Sequence, residues 1–532
     1  MTLFLILITL IILTSVWLSN VSLRIGIPTL FAFIVLGMVF GNNGLLPIHF
    51  ENHLFAKDTC TLALIFIMFY GGFGTRWKAV RPIICEAGLM ASAGVVLTAG
   101  LTGLFCHFIL HWEWPESFLL GAVVSSTDAA SVFSILRSRK LGLKNNTAPL
   151  LEVESGSNDP FSYMLTVVML SVMQGRSGAG SIAWMLFTQI AFGIGCGIGI
   201  AKLAELVLKR IHIQTSGFDS LFMLAVAMAS YAIPDLIGGN GYLSAYLVGI
   251  YLGNVEFGGK KTLVSFFDGI TGLMQVIIFF LLGLLAHPAL LHKAVLPAAA
   301  VFLFMLIAAR PLATATVLTP FRKYGFRQQT LVSFAGLRGA ASIVFAIMAT
   351  TDNQFLQHDL FNIVFCLVLL SISLQGSLLP LVARKLGMID LGNDVMKTFN
   401  DYSEGTEMQF GRIEITADSV WNRQQIMELN LPKNMLIALV LRGNERIVPN
   451  GQTRLYEGDQ VVTVTKTFED SHTYLEEQTI KENSKWKGSR LGDCPQFSDK
   501  LVIMIQRASG NVIPNGDTVL EAGDILVIVG TD

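Results

Sequence analysis

Glu152-Val153-Glu154-Ser155-Gly156-Ser157-Asn158-Asp159-Pro160 sits inside the otherwise apolar stretch 148–174. That stretch exceeds the roughly 20 residues a bilayer-spanning helix needs, yet it holds three acids, which are costly in hydrocarbon and mark function by default. Its surroundings decide the reading. Apolar residues make up 52% of the 532-residue chain and charged residues 14%, where soluble domains carry about 25%. Scanning for spans of that length gives thirteen candidates: 2–20, 27–46, 60–75, 84–111, 117–136, 148–174, 182–207, 218–236, 240–254, 264–286, 294–319, 329–350 and 357–383. The third and ninth are short and the fourth is long. The fold class is therefore a polytopic α-helical membrane protein.

Basic residues in short loops set the orientation. One set of alternate loops holds Arg24; Arg76, Lys78, Arg81; Arg137, Arg139, Lys140, Lys144; Lys209, Arg210; Lys260, Lys261; Arg322, Lys323, Arg327; and Arg384, Lys385, while the opposite set holds only Lys57, Arg176 and Lys293. This places the C-terminus in the cytoplasm and, with an odd number of spans, the N-terminus outside. The opening run Met1–Leu18 lacks a basic n-region and a small-residue cleavage site, so it reads as a retained helix. The net charge of −1 gives no reason to expect nucleic acid as a partner.

Polar residues inside the spans form three islands: Ser125-Ser126-Thr127-Asp128 in the fifth, Glu152 to Pro160 in the sixth, and Gly336-Leu337-Arg338-Gly339-Ala340-Ala341-Ser342 in the twelfth. The fifth and twelfth occupy comparable places in two halves, the pattern of inverted repeats with broken helices. Half-helix ends at Thr127-Asp128 would offer carbonyls and dipoles to an ion. In the sixth span Ser155 and Asp159 share a face, and Pro160 removes a backbone donor there. A carboxylate, a hydroxyl and freed carbonyls suit a hard monovalent cation. Burial favours the protonated form of such a carboxylate and a nearby cation favours the ionised one. One group then holds a proton or a cation but not both, the minimal mechanism of an antiporter. Asn158 cannot titrate, so the Asn158-Asp159 pair offers one ionisable group and points to electroneutral exchange. Arg338 needs an anion; Glu154 is the first choice, with Asp128 and Asp159 as alternatives.

Other features carry less. Gly193-Ile194-Gly195-Cys196-Gly197-Ile198-Gly199 imitates a dinucleotide fingerprint but lies within a span, where glycines four apart serve helix packing. His107 and His111 supply two ligands, short of the three or more a metal needs. Arg310-Pro311 lies deep enough to snorkel or line a cavity. The six cysteines are scattered, without the spacing of disulfides or a zinc site.

After residues 1–386, a polar linker is expected at 387–412. Then an internal repeat appears: Arg442, Val448-Pro449-Asn450-Gly451, Leu455 and Gly458-Asp459 recur 65 residues later as Arg507, Ile513-Pro514-Asn515-Gly516, Leu520 and Gly523-Asp524. Trp421 and Trp486 keep the same offset. Apolar β-rich runs between turn signals make this two copies of one small cytosolic α+β unit, 413–472 and 473–532.

The three islands, together with Gly239-Asn240-Gly241-Tyr242-Leu243, resemble the monovalent cation:proton antiporters, nearest the NhaP-type potassium/proton (cell-volume-regulation) branch of bacteria. The resemblance covers residues 1 to about 386. It implies a thirteen-helix homodimer in the lipid of the bacterial inner membrane, working by an elevator-like movement. It implies that Asp159 is the exchanged site, with Asp128, Ser155 and Thr127 contributing, and that Glu154 and Arg338 form a structural pair supported by Asn158. The transported ions would be K⁺, or Na⁺, and H⁺, serving cation, pH and volume homeostasis, with no cofactor. The C-terminal repeats look like the TrkA-C (RCK-C-like) subdomains of potassium-transport regulators. The linker is too short for the nucleotide-binding domain that usually precedes them, leaving a cyclic dinucleotide, an ion or simple dimerisation as their role.

Three alternatives fare worse. A gated cation channel would need a filter loop of the Thr-Val-Gly-Tyr-Gly kind. A cation-coupled solute symporter would need room for an organic substrate. An enzyme would need a metal cluster or a nucleophile–base pair, and the spans hold neither.

Overall fold

The computed structural model describes residues 9, 12–18, 29–41, 50–390 and 408–531, apart from 51, 140, 176–177, 211–216, 256, 258–259, 287, 353–355, 418, 420, 430, 432–434, 444, 467–472, 481–483, 495–500, 508–509, 513 and 515. Most of the first expected span thus lies outside the described residues. Two compact units divide the chain, Met1–Glu404 and Gly405–Asp532.

From the second expected span onward, each apolar stretch carries a helix. The order begins α1 Thr29–Phe40, α2 His53–Gly74, α3 Arg81–Leu110, α4 Trp114–Val123, α5 Ala129–Ser138, β1 Gly142–Leu143, α6 Thr147–Met173, α7 Ala179–Arg210 and α8 Phe218–Leu236. It continues with α9 Gly241–Asn254, α10 Lys260–Leu285, α11 Leu291–Leu318, α12 Phe326–Phe334, α13 Ala340–Asp352, α14 Leu360–Lys385 and β2 Ile389–Asp390. The third expected span is longer than its apolar core suggested, because Asn52 caps Phe55 N at 2.9 Å and starts α2 at His53. α6 runs through Pro160 without a break, so the proline removes a donor without interrupting the helix.

The fifth and twelfth spans are each two half-helices. Residues 125–128 are unwound between α4 and α5, and 336–339 between α12 and α13. These are the stretches where Ser, Thr, Asp and Gly replace apolar residues, and small polar side chains compete with the helical backbone for its hydrogen bonds.

Glycines let the helices close on one another, as expected where apolar packing replaces the hydrophobic effect. A Cβ at Gly249 would lie 2.1 Å from Phe69 O, and one at Gly253 2.2 Å from Phe73 O, so α9 and α2 are locked backbone to backbone. Gly193 and Gly197 face α9 at Asn240 and Ser244, while Gly195 and Gly199 face open space. His107 Nδ1 donates to Trp112 O, 2.7 Å away, and its ring stacks on Trp114 at 3.8 Å between ring centres, closing the turn into α4.

The second unit holds two four-stranded antiparallel sheets. One orders β3 Met408–Glu414, β6 Gln460–Lys466, β4 Met435–Arg442 and β5 Glu445–Ile447; the other orders β7 Thr473–Thr479, β10 Ile525–Thr531, β8 Leu501–Arg507 and β9 Gly510–Val512. Strand β3 begins within the stretch expected to be linker. The copies agree in detail. The register skips Ala438 in one and Ile503 in the other, 65 residues apart. Arg442 clamps Asp459 through two bonds of 2.8 and 2.7 Å, and Arg507 clamps Asp524 through two of 2.8 Å. These bidentate hydrogen bonds hold both carboxyls below the ordinary carboxylate range, so both clamps are fully charged at neutral pH.

Candidate functional site at the helix crossing

The two unwound segments meet. Asp128 N donates to Leu337 O at 2.8 Å, and the Ser126 and Ser342 hydroxyls lie 3.2 Å apart. Such a crossing gathers half-helix ends of both signs in a setting where an uncompensated dipole is expensive.

Two residues answer it. Asp128 stands before the first turn of α5 and accepts from Ser131 N at 3.2 Å and from the Ser131 hydroxyl, a helix N-cap. Its carboxylate is also pressed on Gly339, just before α13; a Cβ there would lie 2.1 Å from Asp128 Oδ2. Asp128 therefore serves two positive helix ends. Arg338 serves the opposite end, donating from Nη1 to Ser125 O (2.8 Å) and Ser126 O (2.5 Å) beyond the C-terminus of α4. Its own backbone N donates to Ser371 Oγ at 3.0 Å, and Gln375 donates to Phe334 O at 2.6 Å. Ser371–Gln375 is a π-helical turn in α14, so this widened turn supports the break from behind.

The expected Glu154–Arg338 pair is corrected. Glu154, with none of its surface exposed, accepts from Arg310 Nη2 instead, and Arg310 is 2% exposed. Arg338 belongs to an unwound segment and reaches carbonyls of the facing break. Arg310 follows a π-helical turn, Met305–Ala309, on a continuous helix opposite Glu154. Nor does Arg310 snorkel. The signal that could have found it was the one that singled out Arg338: a charge deep in a span is functional by default.

α6 stitches the first break. Ser155 Oγ donates to Thr127 O at 2.6 Å and accepts from Ala129 N at 2.7 Å. Asn158 donates to Thr127 Oγ1 at 2.6 Å and accepts from Thr127 N at 3.3 Å. Asp159, one position on, is 6% exposed, and its Oδ1 is buried without a hydrogen-bond partner. The structure thus brings Thr127, Asp128, Ser155, Asn158 and Asp159 together, with Asp159 holding the unengaged carboxylate oxygen. Two buried guanidiniums, Arg310 and Arg338, and three carboxylates, Asp128, Glu154 and Asp159, are gathered here, with Glu152 a turn before Ser155 on α6.

A polytopic membrane protein with buried carboxylates where two broken helices cross is the class that this fold and site define. Comparison with known proteins gives it a family. The family described as "Sodium/hydrogen exchanger, transmembrane" matches residues 6–385, and "TrkA-C domain" matches twice, at 410–467 and 475–532. The chain is 33% identical over 451 residues to the K(+)/H(+) antiporter NhaP2 of Shewanella sp. (strain ANA-3), covering 84% of this chain and 78% of that one. It is 31% identical over 458 residues to the K(+)/H(+) antiporter NhaP of Alkalimonas amylolytica, covering 85% and 79%. The solved sodium proton antiporter MjNhaP1 of Methanocaldococcus jannaschii shares the fold at TM-score 0.63 and 23% identity, covering 71% of this chain and 97% of that one. The chain belongs to the sodium/hydrogen exchanger family of cation:proton antiporters, and carries two TrkA-C domains after its membrane region.

Proposed function

We propose that this antiporter exchanges one K⁺ for one H⁺, electroneutrally, with Asp159 as the group that holds either ion. The observation that carries the reading is the buried Asp159, whose Oδ1 is unengaged and whose one negative charge lies close to Asp128 and Ser126 at the break. A proton or a monovalent cation neutralises that charge equally well, and low dielectric makes holding both unfavourable. Asp128, Thr127 and Ser155 shape the site, Asn158 fixes Thr127, and Arg310 and Arg338 hold the helices that form it. Potassium is favoured because the relatives at 31–33% identity are K(+)/H(+) antiporters. The protein works as a homodimer in a bacterial inner membrane, N-terminus outside and C-terminus cytoplasmic, as its loop charges favour. The TrkA-C repeats tune exchange in response to a ligand, for which a cyclic dinucleotide or an ion is a candidate.

The test uses everted membrane vesicles from a host lacking its own antiporters, with an imposed pH gradient. Added K⁺ is expected to dissipate the gradient more strongly than Na⁺ or Li⁺. Dissipation by Na⁺ alone overturns the choice of potassium, and no response to any cation overturns the exchange.

A further inference from the structure

At the helix crossing, most polar groups are already engaged with one another. Ser155 bridges Thr127 and Ala129, Asn158 holds Thr127, and Asp128 caps α5. Among the nearby buried oxygens, Asp159 Oδ1, the hydroxyl of Tyr246 and Glu154 Oε2 have no hydrogen-bond partner, and Glu154 is held by Arg310 through its other oxygen. Tyr246 is 2% exposed and comes from α9. Its ring is pressed on α6 at Gly156; a Cβ there would lie 2.6 Å from Tyr246 Cε2 and 2.8 Å from its hydroxyl oxygen. Glu152, Gly156 and Asp159 fall on one stripe of α6, and the Tyr246 hydroxyl lies within electrostatic reach of both Glu152 and Asp159. Ser157 and Thr75 are its hydroxyl neighbours, neither in bonding geometry.

Packing alone would be met by phenylalanine, and a buried hydroxyl without a partner is unfavourable. We propose that the Tyr246 hydroxyl is a further ligand of the transported monovalent cation, facing Asp159 across Gly156. A hard cation collects oxygen ligands, and a neutral hydroxyl adds one without changing the charge balance. The glycine contacts that lock α9 to α2 hold Tyr246 on a different helix pair from the crossing. Displacement of α6 against that pair would therefore make or break this ligand, coupling cation binding to movement. At Gly156 any side chain would push the hydroxyl away.

The inference rests on Asp159 being the exchanged site, and the experiment keeps the two apart. Full-length protein in liposomes is assayed for K⁺/H⁺ exchange as wild type, Tyr246→Phe, Gly156→Ala and Asp159→Asn. Tyr246→Phe keeps the ring on Gly156 and is expected to raise the apparent KM for K⁺ about tenfold with maximal rate within about twofold, the scale of one lost ligand bond. Gly156→Ala displaces the same hydroxyl and is expected to raise KM likewise. An unchanged KM in Tyr246→Phe, or a lower rate at unchanged KM, overturns the tyrosine as ligand even when Asp159→Asn is inactive. Exchange retained in Asp159→Asn overturns the site reading itself.

Discussion

Asp159→Asn is expected to leave a folded protein whose cation-driven proton flux falls to background. Asparagine is isosteric and keeps an oxygen toward the site, so packing around α6 survives. It lacks the charge that attracts the cation and cannot release a proton. At an effective dielectric of about 20, a unit charge pair at about 4 Å is worth about 4 kcal/mol, or about a thousandfold in affinity. Proton coupling is lost outright. The check is cation-induced dissipation of a pH gradient in vesicles containing matched amounts of wild type and variant; full activity in the variant would remove Asp159 from the mechanism.

Arg310→Ala carries the second large effect, on stability. It would leave Glu154, fully buried between helices, charged and unpaired, a change of about 3–5 kcal/mol in comparable cases. The expected result is a marked fall in thermal stability of the full-length protein in detergent, and poor accumulation in the membrane. Glu154→Gln should repair part of that loss in the Arg310→Ala background, because it removes the stranded charge. Arg338→Ala should behave differently: it uncaps the carbonyls of Ser125 and Ser126 while the Glu154 pair persists, so Glu154→Gln should not rescue it. Rescue of Arg338→Ala but not of Arg310→Ala would reverse the assignment.

The spans and both helix breaks were legible because each is a local departure in composition: Ser125 to Asp128 and Gly336 to Gly339 interrupt apolar runs. The cytosolic repeat was legible for a similar reason, since Pro-Asn-Gly and Gly-Asp turns recur at a fixed offset. The partner of Glu154 was not. Arg310 lies 156 residues away, and nothing local distinguishes it from Arg338, which is also a lone arginine in a span. The true partners of Arg338 are backbone carbonyls, which leave no mark in a sequence. Pro160 misled more gently: it removes a donor, but α6 persists because its neighbours pack along its length. The start of the first repeat was hidden because Met408–Glu414 alternates apolar and polar residues only weakly, and pairing with Gln460–Lys466 supplies what the pattern lacks. The roles of Asn158 and Ser155 as clamps on Thr127 emerge only once α6 is set beside the break.

The most direct test of one group serving both ions is the pH dependence of the apparent KM for K⁺, measured on the full-length protein in liposomes. Competition at Asp159 predicts that, on the acid side, KM rises with proton activity, approaching about tenfold per pH unit, while the extrapolated maximal rate stays constant. A KM that does not move with pH, or a maximal rate that falls while KM is fixed, would mean that proton and cation occupy different groups, and would contradict the account.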